Sequence, residues 1–448
     1  MRWRVLGFLG AAQLMLILDV TVVAIALPHI GADLPVGRET LTWTVSAYTL
    51  AFGGLMLLGG RIADLLGAKR VVLAGLALFT AASLATGLAD STGLLLGGRV
   101  AQGVGAALLS PAALSMVVTL FEGPERDRAL GVWSALGGGG AALGLLLGGL
   151  LTAGPGWPWV FYVNVPIGLV IITALAVLAP RQRATAPRAG LDVLGALLVT
   201  ASSGALIYAL VNAGDGGWLT PATGWLVLLA AVGYLAFVLW QRTTRSPLMD
   251  VALLVRRPVA TGTFLILMAT VLMIAVFFLG TFYFQHALGY GAFWTGVLFL
   301  PVAFATMLGA HLTGQALARR GARPLAVTGL LTAAVGLGLP ALWTDPVTVT
   351  VGVAIAGAGT GALYVVASAT ALGQVAPHEA GVASGLVSTF HEFGASVGAA
   401  AVSSVAAVSL VGDTLTGFTN GFTLAAVAAG AGALVAAVLT PGRAPSAP

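Results

Sequence analysis

Three ionisable side chains stand where such groups are costly: Asp19, Arg99 and Glu392 each fall inside a long apolar run. Runs of this kind suffice for ~30 Å of hydrocarbon, and a charge at that depth costs ~2.5–3.5 kcal/mol or more, so a group kept there is expected to work. The chemistry open to them is proton transfer. A carboxylate alone in a low dielectric favours its protonated form, and a nearby guanidinium favours the charged one. Asp19 lies about fourteen residues, or ~21 Å, into a run that begins near residue 5. Arg99 lies about seven residues, or ~10 Å, into the run that begins near 93, which is crossed in the opposite direction, so both sit at similar depth. Moving the two apart would switch Asp19 between holding and releasing a proton; the plainer reading is a static ion pair stapling two helices. Glu392, beside His391, falls about eleven residues into its run, near mid-membrane by the same rise per residue. It is expected either to bind a proton or substrate, or to face a water-filled cavity without titrating. Tyr48, Gln102, Asn164, Phe390 and His391 are the polar and aromatic candidates to line a substrate cavity. His286 and His311 have no ligand-spaced partners and the chain has no cysteine, so no metal is assigned. No nucleophile constellation or phosphate-binding loop appears. No catalytic residue and no cofactor are therefore expected, and the energy for work must come from an ion gradient.

The elements that must position these residues are membrane spans. Of 448 residues, 58% are hydrophobic and 8% charged, against about 25% charged in soluble domains. Reading apolar runs between polar or Pro/Gly punctuation predicts fourteen helices. They lie near 5–28, 41–61, 71–89, 93–118, 129–152, 160–179, 191–211, 222–240, 258–282, 293–316, 325–343, 348–374, 381–409 and 418–440. With the N-terminus inside, Arg38 alone falls outside and Arg99 within a span, leaving 18 of the 20 basic residues on the inner side. That asymmetry is the positive-inside pattern, and it predicts an even number of spans with both ends cytoplasmic; arginine at 19 of the 20 basic positions points to a bacterial plasma membrane. It also accounts for a net charge of +5 without any nucleic-acid partner.

The chain also repeats itself. Gly60–Arg70 (GRIADLLGAKR) matches Gly314–Pro324 (GQALARRGARP) at an offset of 254. At the same offset Gly131, Gly140 and Gly144 correspond to Gly385, Gly394 and Gly398, and at 256 Gly103-x-Gly105 corresponds to Gly359-x-Gly361. Two halves of like polarity are a transporter organisation. The expected division is an N-terminal half over 1–180, a two-helix insertion over 181–257 and a C-terminal half over 258–448. Gly60, Asp64, Gly67, Lys69 and Arg70 read as a cytoplasmic latch: glycines for a tight turn, Asp64 to cap a helix or pair with an arginine, Lys69 and Arg70 at the headgroups. Gly140, Gly144 and Gly148, like Gly394 and Gly398, recur every four residues and are expected to let helices approach closely. Trp3, Trp157, Trp159 and Trp218 near span ends read as interfacial anchors.

Five segments give the chain a family likeness: Leu18-Asp19-Val20-Thr21 through Ala26-Leu27-Pro28, Trp43 to Tyr48, Gly60–Arg70, Arg99-x-x-Gln102-Gly103-x-Gly105, and Trp157-x-Trp159-x-Phe161-Tyr162-x-Asn164-Val165-Pro166-Ile167-Gly168. In this order they resemble the major facilitator superfamily, specifically its fourteen-helix drug:proton antiporter branch. The resemblance implies an all-α membrane fold of two six-helix halves plus two inserted helices, acting as a monomer on small molecules with H+ as the coupling ion. It implies export of drugs or of a secondary metabolite. The branch usually carries Gly-Pro where this chain has Gly144-Leu145, which keeps open a specific uptake carrier or lipid-handling facilitator. A sensor or scaffold without flux is the third class, and it has no evident use for charged groups at transport depth.

Overall fold

An apolar chain in a bilayer must satisfy its backbone polar groups internally, which helices do. The computed structural model describes residues 1–34, 36–122, 146–180, 190–372, 380–407 and 415–440, with positions 125, 128, 129, 132, 140, 143, 144 and 409. These residues form helices and turns, with no strand among them. The helices are α1 (Arg2–Asp33), α2 (Arg38–Leu66), α3 (Ala68–Gly87), α4 (Thr92–Leu120), α5 (Trp159–Tyr162) and α6 (Asn164–Leu178). They continue as α7 (Val193–Gly216), α8 (Pro221–Thr243), α9 (Val251–Val255) and α10 (Arg257–Phe282), which runs into a π turn at Tyr283–Ala287. The last are α11 (Ala292–Leu298), α12 (Leu300–Arg320), α13 (Ala322–Leu342), α14 (Pro346–Leu372), α15 (Ala380–Val405) and α16 (Thr416–Leu439).

Twelve spans among the described residues are long and apolar enough to cross a membrane, where the sequence predicts fourteen. Half of the expected span 129–152 lies outside the described residues, Gly131 and Leu145 included. The expected span 381–409 forms the 26-residue α15, whose run of Ser388, Thr389, His391 and Glu392 lowers its apolar character.

The chain divides into two compact units, Met1–Leu206 with Leu226–Leu248 and Gly291–Val297, and Ile207–Trp225 with Met249–Tyr290 and Leu298–Pro448. In the first unit α4 packs closely along both α2 and α3. Glycines set that closeness: a Cβ on Gly105 would lie 2.8 Å from the Gly75 carbonyl oxygen, and one on Gly103 would lie 2.5 Å from that of Tyr48. In the second unit Gly359 meets the Gly329 oxygen at 2.5 Å and Gly357 meets that of Val302 at 2.9 Å in the same sense. These contacts match residue for residue at an offset of 254, so the pair matching Gly103 and Gly105 is Gly357 and Gly359, and the expected offset of 256 is corrected. A second correction concerns the other glycine stripe. Gly148 approaches Val22 and Ile25 as Gly398 approaches Val271 and Ile274, and Gly144 packs on Leu18 and Thr21 as Gly394 does on Leu267 and Thr270. Gly144 and Gly148, not Gly140 and Gly144, are therefore the counterparts of Gly394 and Gly398. Gly140 packs on Leu14 and Ile17 of α1. Sequence matching among so many glycines slid by one helical turn because a four-residue period matches itself at that shift.

The joint between α2 and α3 is the single residue Gly67, with φ of +88°, and the joint between α12 and α13 is Gly321, with φ of +79°. Side-chain-bearing residues are strained in that region, so glycine makes the one-residue reversal at both places. After each joint a base caps the end of a later helix. Lys69 Nζ donates to the carbonyls of Ala176 and Ala179 at 2.8 and 2.6 Å, and Arg323 Nε donates to that of Thr440 at 2.9 Å. Cations suit helix C-termini, whose last carbonyls lack partners. Lys69 is thus a tie to the end of α6 rather than a headgroup contact, while Arg70 is exposed. Gly60 is half-buried and Asp64 is half-buried in the last turn of α2, with no ion pair to Asp64 among the described residues.

Candidate functional site

The expected pairing of Asp19 with Arg99 is present. Arg99 Nη1 donates to Asp19 Oδ2, and the two side chains are 1% and 0% exposed. α1 supplies the acid and α4 the base, from antiparallel helices. Buried charges need their remaining hydrogen-bonding capacity filled, and polar neighbours fill it. Gln102, one turn from Arg99 and so on the same face, donates from Nε2 to Asp19 Oδ1 at 3.0 Å and accepts from Arg99 Nη1 at 3.0 Å. It thereby touches both members of the pair. Arg99 Nε donates to the Thr44 carbonyl at 2.8 Å. Asn164 Nδ2 donates to Asp19 Oδ1 and to Ser83 Oγ, both at 3.4 Å, and Gln102 Nε2 reaches Ser83 Oγ at 2.8 Å.

The guanidinium also lies over aromatic rings. Arg99 Cζ is 4.4 Å from the ring centre of Tyr48 and 5.8 Å from that of Phe161, and such faces attract cations most where water is absent. Tyr48, Gln102 and Asn164 were expected along a substrate cavity. The structure places all three in the buried cluster that holds the ion pair. Gln102 was within reach of sequence reasoning through its i+3 spacing from Arg99. Ser83, Thr44 and Phe161 carried no such signal, since only the fold brings α2, α3 and α5 to α4.

The second unit holds the other embedded acid. Glu392 is 8% exposed on α15. Its neighbour His391 is half-buried, its Nδ1 lies 2.9 Å from Thr270 Oγ1, and its ring centre is 5.7 Å from that of Tyr364. Phe390 is half-buried on the same helix. Thr270 is the counterpart of Thr21 in the glycine contacts above, so α15 meets α10 here as Gly144 and Gly148 meet α1 in the first unit. Asp19 and Glu392 belong to different units.

Trp157 departs from expectation. It is 4% exposed, and its indole Nε1 donates to Asp33 Oδ2 at 3.0 Å, so it is a packed residue and not an interfacial anchor. Trp3, Trp159 and Trp218 are each more than two-fifths exposed.

A sequence model of the Major Facilitator Superfamily matches residues 9–399. The chain belongs to this superfamily. It is a multi-pass membrane transporter of small molecules, not an enzyme. It is 38% identical to the puromycin resistance protein of Streptomyces alboniger, over 98% of this chain and 90% of that one. It is 36% identical to a cephamycin export protein of Amycolatopsis lactamdurans, over 88% and 83%. It is also 32% identical to the tetracenomycin C resistance and export protein of Streptomyces glaucescens, over 92% and 77%. The drug-export likeness read from the five motifs thus agrees with the names of its relatives. Among solved structures a peptide transporter superposes with a TM-score of 0.69 at 17% identity, covering 97% of this chain and 93% of that one; at that identity the likeness is one of fold.

Proposed function

We propose that the chain exports small amphipathic compounds, antibiotics or secondary metabolites, across a bacterial plasma membrane in exchange for protons by alternating access. The observation that carries this reading is the buried Asp19–Arg99 pair, closed off from solvent and embedded in amide donors. Protonating Asp19 removes the counter-charge of Arg99, so the paired arrangement is stable only with the proton absent. A conformational change that separates the two favours proton uptake, and re-pairing expels the proton. Glu392 is the second candidate to bind a proton or a cationic group. The exported class is drawn from relatives named for puromycin resistance and for cephamycin export.

Fourteen spans, with both termini cytoplasmic, fit the contacts within each unit. Asp33 and Trp157 touch, so they lie at one face. α2, α3 and α4 cross three times between them, and a fourth crossing in 121–156 is needed to return. Arg257 Nε bonds the Leu439 carbonyl at 2.9 Å. With α10, α11–α12, α13, α14 and α16 between, α15 must also cross. The chain is read as a monomer with no bound cofactor, and its domains as 1–180, 181–257 and 258–448.

The test uses a drug-hypersensitive bacterial host and inverted vesicles from it, with puromycin as the first probe. Cells making the protein are expected to accumulate less puromycin, and a proton uncoupler is expected to restore accumulation. Asp19→Asn, at equal expression, is expected to lose puromycin uptake driven by an acid-inside gradient in the vesicles. Undiminished gradient-driven transport by Asp19→Asn would sink the proposal.

A further inference from the structure

The Trp157–Gly168 motif reaches beyond the ion pair that two of its residues touch. Its residues 157, 161, 164 and 168 recur at helical spacing and form one stripe. Each member of that stripe meets the first unit at a defined point. Trp157 bonds Asp33, Phe161 lies against the Arg99 guanidinium, Asn164 bonds Asp19, and Gly168 leaves room for Thr80, whose Oγ1 would be 2.1 Å from an added Cβ. Asp33 and Asp19 are fourteen residues apart on α1, close to four whole turns, so both acids point to the same side of the helix. The stripe therefore holds α1 at two carboxylates, one buried at the ion pair and one at the helix end.

Between the two carboxylates stand two aromatic rings. Trp157 and Phe161 meet edge to face, with ring centres 6.3 Å apart at 84°, and Phe161 is fully buried. The indole has a single donor, and that donor is bound to Asp33. Along its length α1 is closely packed, with Gly144 and Gly148 set against Leu18, Thr21, Val22 and Ile25. Its end is fastened to the stripe by one charge-assisted hydrogen bond, from Trp157 to Asp33.

We propose that Trp157 is a positioning residue for the Asp19–Arg99 pair: latched to Asp33, it holds Phe161 on the guanidinium and closes the approach to Asp19 from the Asp33 face of the membrane. Breaking the latch frees the end of α1 and lets the two rings swing aside, admitting water to the carboxylate from that face alone. The inference rests on the proposed function for what the opening accomplishes, but the closure itself is measurable without transport.

The chain has no cysteine, so a single introduced thiol reports on the site. Ser83→Cys, adjacent to Gln102 and Asn164, serves as reporter in membranes, with Thr86→Cys as the second if the first is not produced. A membrane-impermeant maleimide is applied from either face. Adding Trp157→Phe or Asp33→Leu is expected to raise labelling from the Asp33 face about tenfold, the change expected when one charge-assisted hydrogen bond holds the closed state. Asp33→Asn keeps an oxygen to accept from the indole but not its charge and is expected to label between the parent and Asp33→Leu, and labelling from the opposite face stays constant in every variant. Labelling no faster than the parent in Trp157→Phe and Asp33→Leu overturns the latch, as does an equal rise from both faces or a rise in Asp33→Asn matching that of Asp33→Leu. If labelling behaves as expected while Asp19→Asn retains full gradient-driven transport, the latch stands and the proton reading falls.

Discussion

At the scale of single residues, the choice is between a switch and a staple, and stability separates them. Removing one member of a buried pair leaves an uncompensated charge and costs about 3–5 kcal/mol, while replacing both by apolar groups is often close to neutral. Asp19→Asn is therefore expected to lower the thermal midpoint in detergent. Asp19→Asn with Arg99→Met is expected to recover most of it and still show no gradient-driven transport. A staple would regain both together, so vesicle transport by the thermally restored double variant decides the matter. Gln102→Leu, which strips one donor from Asp19 and one acceptor from Arg99, is expected to cost about 1–3 kcal/mol in the same melt, because a buried group left unmatched pays its full desolvation. The pair itself was legible in sequence because helical rise converts residue number into depth. Its surroundings were not. Asn164, Tyr48 and Phe161 reach Arg99 and Asp19 from other helices, and depth alone does not say which face of a helix meets which neighbour.

At the scale of elements, glycines decide how closely helices cross, and their positions differ sharply in tolerance. A Cβ on Gly105 would lie 2.7 Å from the Phe79 backbone nitrogen, and one on Gly359 would lie 2.5 Å from the Gly329 oxygen. Backbone cannot rotate away as a side chain can. Gly105→Ala and Gly359→Ala are each expected to destabilise by about 1–3 kcal/mol. Gly97→Ala and Gly338→Ala, which meet nothing within 4 Å, are expected to melt with the parent. The repeat was legible as a pattern of glycines, but its register came from which backbones those glycines touch. The other element-scale prediction concerns a helix start outside the membrane. Asp345 accepts from the Thr348 amide at 3.0 Å at the start of α14, and hydrogen bonds from Thr348 hold its carboxyl below the usual carboxylate range. A carboxylate depressed in the folded state contributes stability above its unfolded value, and that contribution is lost as pH falls through the folded value. The melting difference between parent and Asp345→Ala is therefore expected at neutral pH and should vanish in strong acid. A difference that grew toward acid pH would contradict the cap.

At the scale of the whole molecule, twelve spans among the described residues are apolar and long enough to cross, and the two further crossings proposed above are testable one by one. α15 carries His391 and Glu392, which lower its apolar character. Charge asymmetry, read from sequence, predicts an even number of spans, and the two proposed crossings give the same parity. Asp33 with Trp157 asks for a crossing by the 129–152 segment, and Arg257 with Leu439 asks for one by α15. Reporter fusions test each crossing separately. A fluorescent protein fused after Glu122 or Leu372 is expected to fold on the cytoplasmic side, and alkaline phosphatase fused after Gly154 or Leu415 is expected to be active outside. Matching signals from Glu122 and Gly154 would remove the first crossing, and matching signals from Leu372 and Leu415 would remove the second. Losing one alone would put the C-terminus on the opposite face and break the positive-inside pattern that the arginines follow, so the two crossings stand or fall with the charge distribution as well as with the fusions.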